Sequence, residues 1–310
     1  MKAKMINEVT LEGLLYEHKL ELKITGENSK KPGTEFITGT ISVATDDAIT
    51  NIVDVHYTYI TAVTSTGKVD SRFSVLRNIL EGKTKSVMKD GKENAAKIRV
   101  NSAIGLNDFY TDRDGAETLV SAKRNEGGFI HMIDALNEDE KARSKFTCDM
   151  IITNVRHVEA DPERNLPEKA IIRGAVFDFR KALLPVEFSA VAPGAIGYFE
   201  SLDASAKTPV FTKVWGMEIS ETVTRTYEEE SAFGEANVRE VKSSRKDFVI
   251  TGASREPYVW NDESTITEAE LTKAMADRET YLATVKQRRD EYLNSQNGGG
   301  STVAAGGFKF

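Results

Sequence analysis

The sequence predicts a mainly β protein: two tandem five-stranded barrels, each with a short helix between its third and fourth strands, then a C-terminal helix and a flexible tail. Three observations predict it. The stretch Lys169-Ala-Ile-Ile-Arg-Gly174-Ala-Val-Phe-Asp-Phe179 followed by Leu183-Leu-Pro-Val-Glu-Phe188-Ser-Ala alternates like two paired strands, with a glycine in the first. A small sheet that curls until it closes needs such a glycine where a strand bends sharply. The segment Phe36-Ile-Thr-Gly39-Thr-Ile aligns without a gap to Ile171-Ile-Arg-Gly174-Ala-Val, so the pattern occurs twice. Each copy also has the same order: three strands, one helix, two strands.

In the first half, Val9-Thr-Leu11-Glu-Gly13-Leu-Leu-Tyr opens a strand that continues to Leu22, and Lys31-Pro-Gly33 supplies the turn. The β-branched and aromatic runs 35–43 and 51–60 are strands two and three. Residues 71–80 switch to helical spacing and stop at Gly82. The basic segment Lys83, Lys85, Lys89, Lys92, Lys97 and Arg99 is expected to be a mobile loop leading into strand four, 97–106, and strand five, 117–124, with 129–133 closing the unit. The second half repeats this with 146–158, the pair above, a helix over 195–202, a strand at 211–220 carrying Gly216, and a last strand over 238–250. The roles of Val120, Arg124 and Phe129 are matched to Val241, Arg245 and Phe248, with a spacing difference of two residues.

Beyond Gly252, Pro257-Tyr258-Val-Trp260 is a tether, and Thr267-Glu-Ala-Glu270 is a capping box that opens a helix to about residue 294. Leu271, Met275, Leu282, Val285 and Tyr292 form a stripe that either packs on the barrels or makes a dimer seam. The expected division is 1–140, 141–255, 256–294 and a Gly-rich tail, 295–310.

Composition bounds the function classes. Hydrophobic residues at 40% and charged residues at 29% are those of a globular chain. No apolar run approaches the ~20 residues of a membrane-spanning helix, and no secretory h-region is visible, so a cytoplasmic protein is expected. The single cysteine, Cys148, lies in a strand-like run and reads as core. There is no P-loop, no His-x-x-x-His pair and no Gly-x-Ser-x-Gly elbow, so neither catalysis nor a cofactor is expected. Asp112-Arg-Asp114-Gly115 reads as a hairpin turn rather than a Mg²⁺ site. The net charge of -7 argues against nucleic acid only if charge is evenly spread. It is segregated, with the basic segment above set against an acidic stretch over 256–291.

The element order with its placed glycines resembles the oligonucleotide/oligosaccharide-binding (OB) barrel over residues 5–134 and 145–252. Such barrels hold single strands by stacking bases on aromatic rings and tracking phosphates with cations. The resemblance implies candidates in each half. In the first they are Tyr57, Tyr59, Phe109 and Tyr110 with Arg72, Lys97, Arg99 and Arg124. In the second they are Phe177, Phe179 and Trp215 with Arg173, Arg180, Lys213 and Arg245. Tyr57 and Tyr59 share a strand side, and their hydroxyls tilt them outward. Phe177 and Phe179 share a side that is either the barrel interior or the ligand face. Trp215, beside Gly216, is the best single candidate.

The whole resembles single-stranded DNA-binding proteins of bacteria and their phages, in which an OB body precedes a Gly-rich linker and a short tip that recruits replication partners. That tip is acidic and ends in Pro-Phe. Here Phe308 and Phe310 flank a lysine, so recruitment is the looser implication. Two barrels in one chain suggest a phage or plasmid version, acting in replication or recombination in the host cytoplasm, with oligomerisation possible through the helix. The competing expectation is a virion structural or assembly protein.

Overall fold

The computed structural model describes residues 5–113, 115–162, 166–229, 237–261 and 266–297; the side chains of 221–229, 237–245 and 297 lie outside the description. The strands are β1 (Asn7–Ile24), β2 (Glu35–Ala44), β3 (Ile52–Thr61), β4 (Lys97–Arg113), β5 (Ala116–Met132), β6 (Ser144–Val158), β7 (Lys169–Phe177), β8 (Leu183–Ala190), β9 (Val210–Glu229) and β10 (Asn237–Ala253). The helices are α1 (Ser71–Leu80), α2 (Val87–Asp90), α3 (Pro193–Ser201) and α4 (Glu268–Asn297). No described helix is long and apolar enough to cross a membrane.

The long strand β1 pairs with β2 through residues 14–24 and with β4 through residues 9–14. With β2–β3, the parallel β3–β5 bridge and β4–β5, the order β1-β2-β3-β5-β4 returns to β1 and closes a five-stranded OB-like barrel. Gly39 lets β2 cross β1 closely, because a Cβ there would stand 2.0 Å from the Lys19 carbonyl oxygen. Gly174 stands in the same relation to the Ile151 carbonyl, also at 2.0 Å. In the second half β6 pairs with β7 and β9, β7 with β8, β8 with β10 by one parallel bridge, and β10 with β9.

The two halves share one ten-stranded sheet because β1 also pairs antiparallel with β6, from Asn7↔Cys148 to Leu11↔Ser144. Val9 and Leu11 of β1 and Phe146 and Cys148 of β6 enter one continuous core. Asp70 caps α1 by accepting from the Arg72 backbone N–H at 3.0 Å, and Phe73, Leu76 and Ile79 bury one helical face against the barrel. In α3, Pro193 sits in the first turn, and Ile196 and Phe199 are buried.

The capping box forms as expected: the Glu270 N–H donates to Thr267 Oγ1 at 3.2 Å and the Thr267 N–H to Glu270 Oε2 at 3.0 Å. The tether before it is tied down by the Tyr258 hydroxyl on Asp149, 2.9 Å, and the Trp260 indole on the Pro209 carbonyl, 3.1 Å. Ile266 and Ala274 then cover Ile151, Ala175, Phe177, Leu183 and Phe211, an apolar patch on the outside of the second half. Leu271, Leu282 and Val285 are half-buried, whereas Met275 and Tyr292 face solvent.

Glu218 of β9 is wedged where the two halves meet, its carboxylate accepting from Asn125 Nδ2 at 2.7 Å and its backbone carbonyl from Ser144 Oγ at 2.8 Å. Burial pushes its carboxyl from 4.5 up to about 7, with Asp54 adding to the rise and Asn125, Lys123 and Lys246 opposing it. A carboxyl whose folded pKa is raised stabilises the fold fully below its unfolded pKa, and that contribution is lost as pH rises through about 7. Glu218→Gln is therefore expected to flatten stability in urea melts across this window and, near pH ~8, to raise it by roughly 2–3 kcal/mol. A wild-type profile already flat over the window contradicts this placement.

Candidate nucleic-acid interface

In β4 the side chains of Ile98, Val100, Ile104 and Leu106 point into the core, and Asp108, Tyr110 and Asp112 continue that side beyond the barrel. The other side carries Lys97, Arg99, Asn101, Ala103, Gly105, Asn107, Phe109, Thr111 and Arg113. It holds three cations and no carboxylate along about 55 Å of strand. The antiparallel register adds His131, Phe129, Glu126, Arg124, Ala122, Val120, Thr118 and Ala116 of β5 to the same outward face.

The register shifts between Asn101 and Ala103, where Gly127 and Gly128, at φ 64 and 121, together stand opposite Ser102. A Cβ on Gly128 would stand 2.5 Å from the Asn101 carbonyl oxygen, so this bulge requires glycine there. The bulge turns out Phe129, which is 53% exposed. The Arg72 guanidinium stands 5.4 Å from the Phe129 ring centroid, held there by two contacts to Asp70, Nε–Oδ1 at 2.9 Å and Nη2–Oδ2 at 2.6 Å. Those bonds hold the Asp70 carboxyl below its usual range.

The same face continues sideways across the junction of the two halves. Phe129 pairs with Asn101, Asn101 with Thr10, Thr10 with Lys145 and Lys145 with Met217, one row across β5, β4, β1, β6 and β9. Beside it, Glu8 pairs with Thr147 and Thr147 with Trp215. Trp215 is 40% exposed, and Lys213 lies on its side of β9. Arg99 is held by the buried Glu12 carboxylate at 2.9 Å, which also accepts from the Asn137 N–H. Among the described residues, Arg113, Lys145 and Lys213 have no carboxylate partner, and Lys97 donates only to the Asp134 backbone carbonyl, at 3.1 Å.

A family model, YorF, matches residues 5–288. The chain belongs to the YorF family. No curated protein matches it. Among solved structures, a deletion mutant of the single-stranded DNA binding protein from Thermus aquaticus is similar at 11% identity and a TM-score of 0.44, covering 84% of this chain and 99% of that one.

The structure brings Arg72, Lys97, Arg99, Phe109, Arg124, Lys213 and Trp215 onto this one face, with Arg124 turned to Glu126 at 2.6 Å. Phe129, Asn101 and Lys145 were not singled out from sequence. The alternation within 97–113 was the available signal, and matching Phe129 to Phe248 concealed it, since Phe248 is buried and Phe129 is not.

Two aromatic expectations are corrected. Tyr57 is 0% exposed, its hydroxyl without a partner and its phenol pushed well up by burial. The cause is a bulge: Thr58 and Tyr59 together stand opposite Thr38, between the pairs Ile37↔Ile60 and Gly39↔Tyr57, so Tyr57 turns in while Tyr59 turns out onto Phe36 at 4.6 Å. Phe177 lies on the outer side of β7 but is sealed by Ile266 and Ala274 of the tether and α4.

The other candidates stand apart. Phe179, 88% exposed, and Arg180 at 5.0 Å from its ring lie in the turn after β7, and Arg173 pairs with Glu187 at 2.6 Å. Tyr110 faces Lys286 of α4. The side chain of Arg245, and Phe308 and Phe310 altogether, lie outside the described residues. The basic segment is also corrected: it folds into α2 and a 3-10 turn at Lys92–Asn94, pinned by the Ala96 N–H on the Lys85 carbonyl and by Lys92 Nζ on the Asp47 carbonyl.

Trp215 lies flat against Gly252, whose added Cβ would fall 2.3 Å from the indole nitrogen. Gly252→Ala is expected to leave the fold intact while displacing the indole. A shifted tryptophan emission maximum with unchanged circular dichroism would show this; identical emission would place the ring elsewhere.

Proposed function

We propose that the chain is a non-catalytic single-stranded DNA-binding protein of two tandem OB-type barrels, serving replication or recombination. Support for the second barrel is the pairing cycle β6-β7-β8-β10-β9-β6, which repeats the order of the first. The observation that carries the binding reading is the carboxylate-free side of β4, with Phe109 and, from β5, Phe129 exposed beside its cations. Exposed rings along a cationic strand suit a ligand whose bases are already unstacked, which distinguishes single strands from duplex. The paired arginines fit this as well, because a guanidinium held by one carboxylate keeps further N–H groups for a phosphate. Along the path, Phe109 and Phe129 lie about 27 Å apart, and Trp215 extends it across β1 and β6.

Fluorescence anisotropy with labelled oligo-dT tests the reading. Binding is expected to weaken steeply with salt, by a log–log slope of about 0.7 per neutralised phosphate. Phe129→Ala and Trp215→Ala are each expected to weaken it about 5- to 150-fold, the ~1–3 kcal/mol of one stacked base. No salt-sensitive binding at low ionic strength would defeat the proposal. An assembly role is the second reading, favoured by Tyr292 and Leu293, exposed at the far end of α4. A large particle indifferent to DNA in light scattering would support it instead.

A further inference from the structure

Between residues 107 and 122, β4 and β5 leave the barrel as a two-stranded arm. Its described carboxylates are Asp108, Asp112 and Glu117, all on the side opposite Phe109. Every one of them is met by a cation from α4. Arg278 binds Asp108 by two bonds, Nη1–Oδ2 at 2.7 Å and Nη2–Oδ1 at 2.6 Å, with side-chain exposures of only 10% and 2%. Arg289 binds Asp112 at 2.7 Å and also Glu117, and Lys286 binds Glu117 while its ammonium stands 5.8 Å from the Tyr110 ring.

The spacing fits a helix laid along a strand. Arg278 and Arg289 are three turns apart, about 17 Å of helix, and Asp108 and Asp112 are about 14 Å apart on β4. At its other end α4 is fixed to the second half through Ala274, beside Ile266 of the tether. The helix thus reaches from one half of the chain to the arm of the other.

The geometry points to α4 as a clasp that both holds the arm and cancels its carboxylates, so that the free side, with Asn107, Phe109, Thr111 and Arg113, meets a polyanion as a net cationic ribbon. Arg278, Lys286 and Arg289 are positioning residues: they act through Asp108, Asp112 and Glu117 and touch no ligand. The physical need is plain. Two sides of one ribbon are separated by less than the Debye length, about 8–10 Å at ordinary ionic strength, so uncancelled carboxylates behind the ribbon would repel phosphates in front of it. This inference rests on the nucleic-acid reading for its charge-cancelling half; the clasp itself does not.

Two measurements on the full chain separate these halves. By amide hydrogen exchange without DNA, Lys286→Ala/Arg289→Ala is expected to speed exchange over 107–122 at least tenfold, with β1 and β6 unchanged. Unaltered exchange in the arm overturns the clasp. By anisotropy with oligo-dT, the same variant is expected to bind three- to tenfold more weakly. Adding Asp112→Asn and Glu117→Gln, which removes the exposed carboxylates without rebuilding the clasp, is expected to recover most of that loss. No recovery overturns charge cancellation and leaves α4 a purely mechanical support. A wild-type chain that fails to bind the oligomer sinks the preceding reading and the charge-cancelling half together, while the exchange comparison still decides the clasp.

Discussion

A β-strand has two sides, and in β4 one of them is committed before any ligand is considered. Ile98, Val100, Ile104 and Leu106 are buried, each contributing about 1.5–3 kcal/mol by leaving water. A slip of one residue in register would drive Lys97, Arg99 and Asn101 into the core and bring those four side chains out, a change no local adjustment could offset. The hydrophobic demand of the barrel therefore fixes where the cations stand. Because β4 runs on past the barrel without a bulge of its own, the same alternation sorts Asp108 and Asp112 from Phe109 and Arg113.

The rest of the architecture widens and stiffens that face. Pairing β1 with β6 makes the outer surfaces of the two halves one sheet, so Lys145 stands in register with Thr10, and Trp215 is reached from Glu8 through Thr147. Behind the sheet the halves are locked by Glu218, Asn125 and Ser144, and by Lys123, whose ammonium sits 5.7 and 5.5 Å from the Phe188 and Phe248 rings. Burial pulls the Lys123 pKa down while Asp247, Glu187 and Glu218 oppose the fall. The outer strand face of β7 and β8 is partly occupied by the chain's own tether and α4. The two halves, alike in strand order, are thus unlike in what they leave open.

Much of this was legible in the sequence. Alternation, the glycines at 39 and 174, the helical spacing of 71–80 and the Thr267–Glu270 box are local signals, and local physics decides them. What stayed hidden was set by contacts distant in sequence or by single-residue irregularities. Tyr57 and Tyr59 share parity on paper, but a bulge opposite Thr38 separates them. Nothing near Phe177 announces that residues 266 and 274 will cover it. Phe129 is exposed only because two glycines interrupt β5, an event that period-two reading passes over. The basic segment looked mobile from its charge, whereas its order comes from backbone bonds such as the Leu15 N–H to the Ala96 carbonyl, 2.9 Å.

Ultraviolet cross-linking of the intact chain to oligo-dT carrying 5-iodouracil, with the attachment points located by mass spectrometry, tests the central claim most directly. Adducts on Phe109, Phe129 and Trp215, with α4 and the Phe179 turn unlabelled, are the predicted result. Labelling confined to Tyr59, Phe179 or α4, with the outward side of β4 and its neighbours untouched, would contradict it.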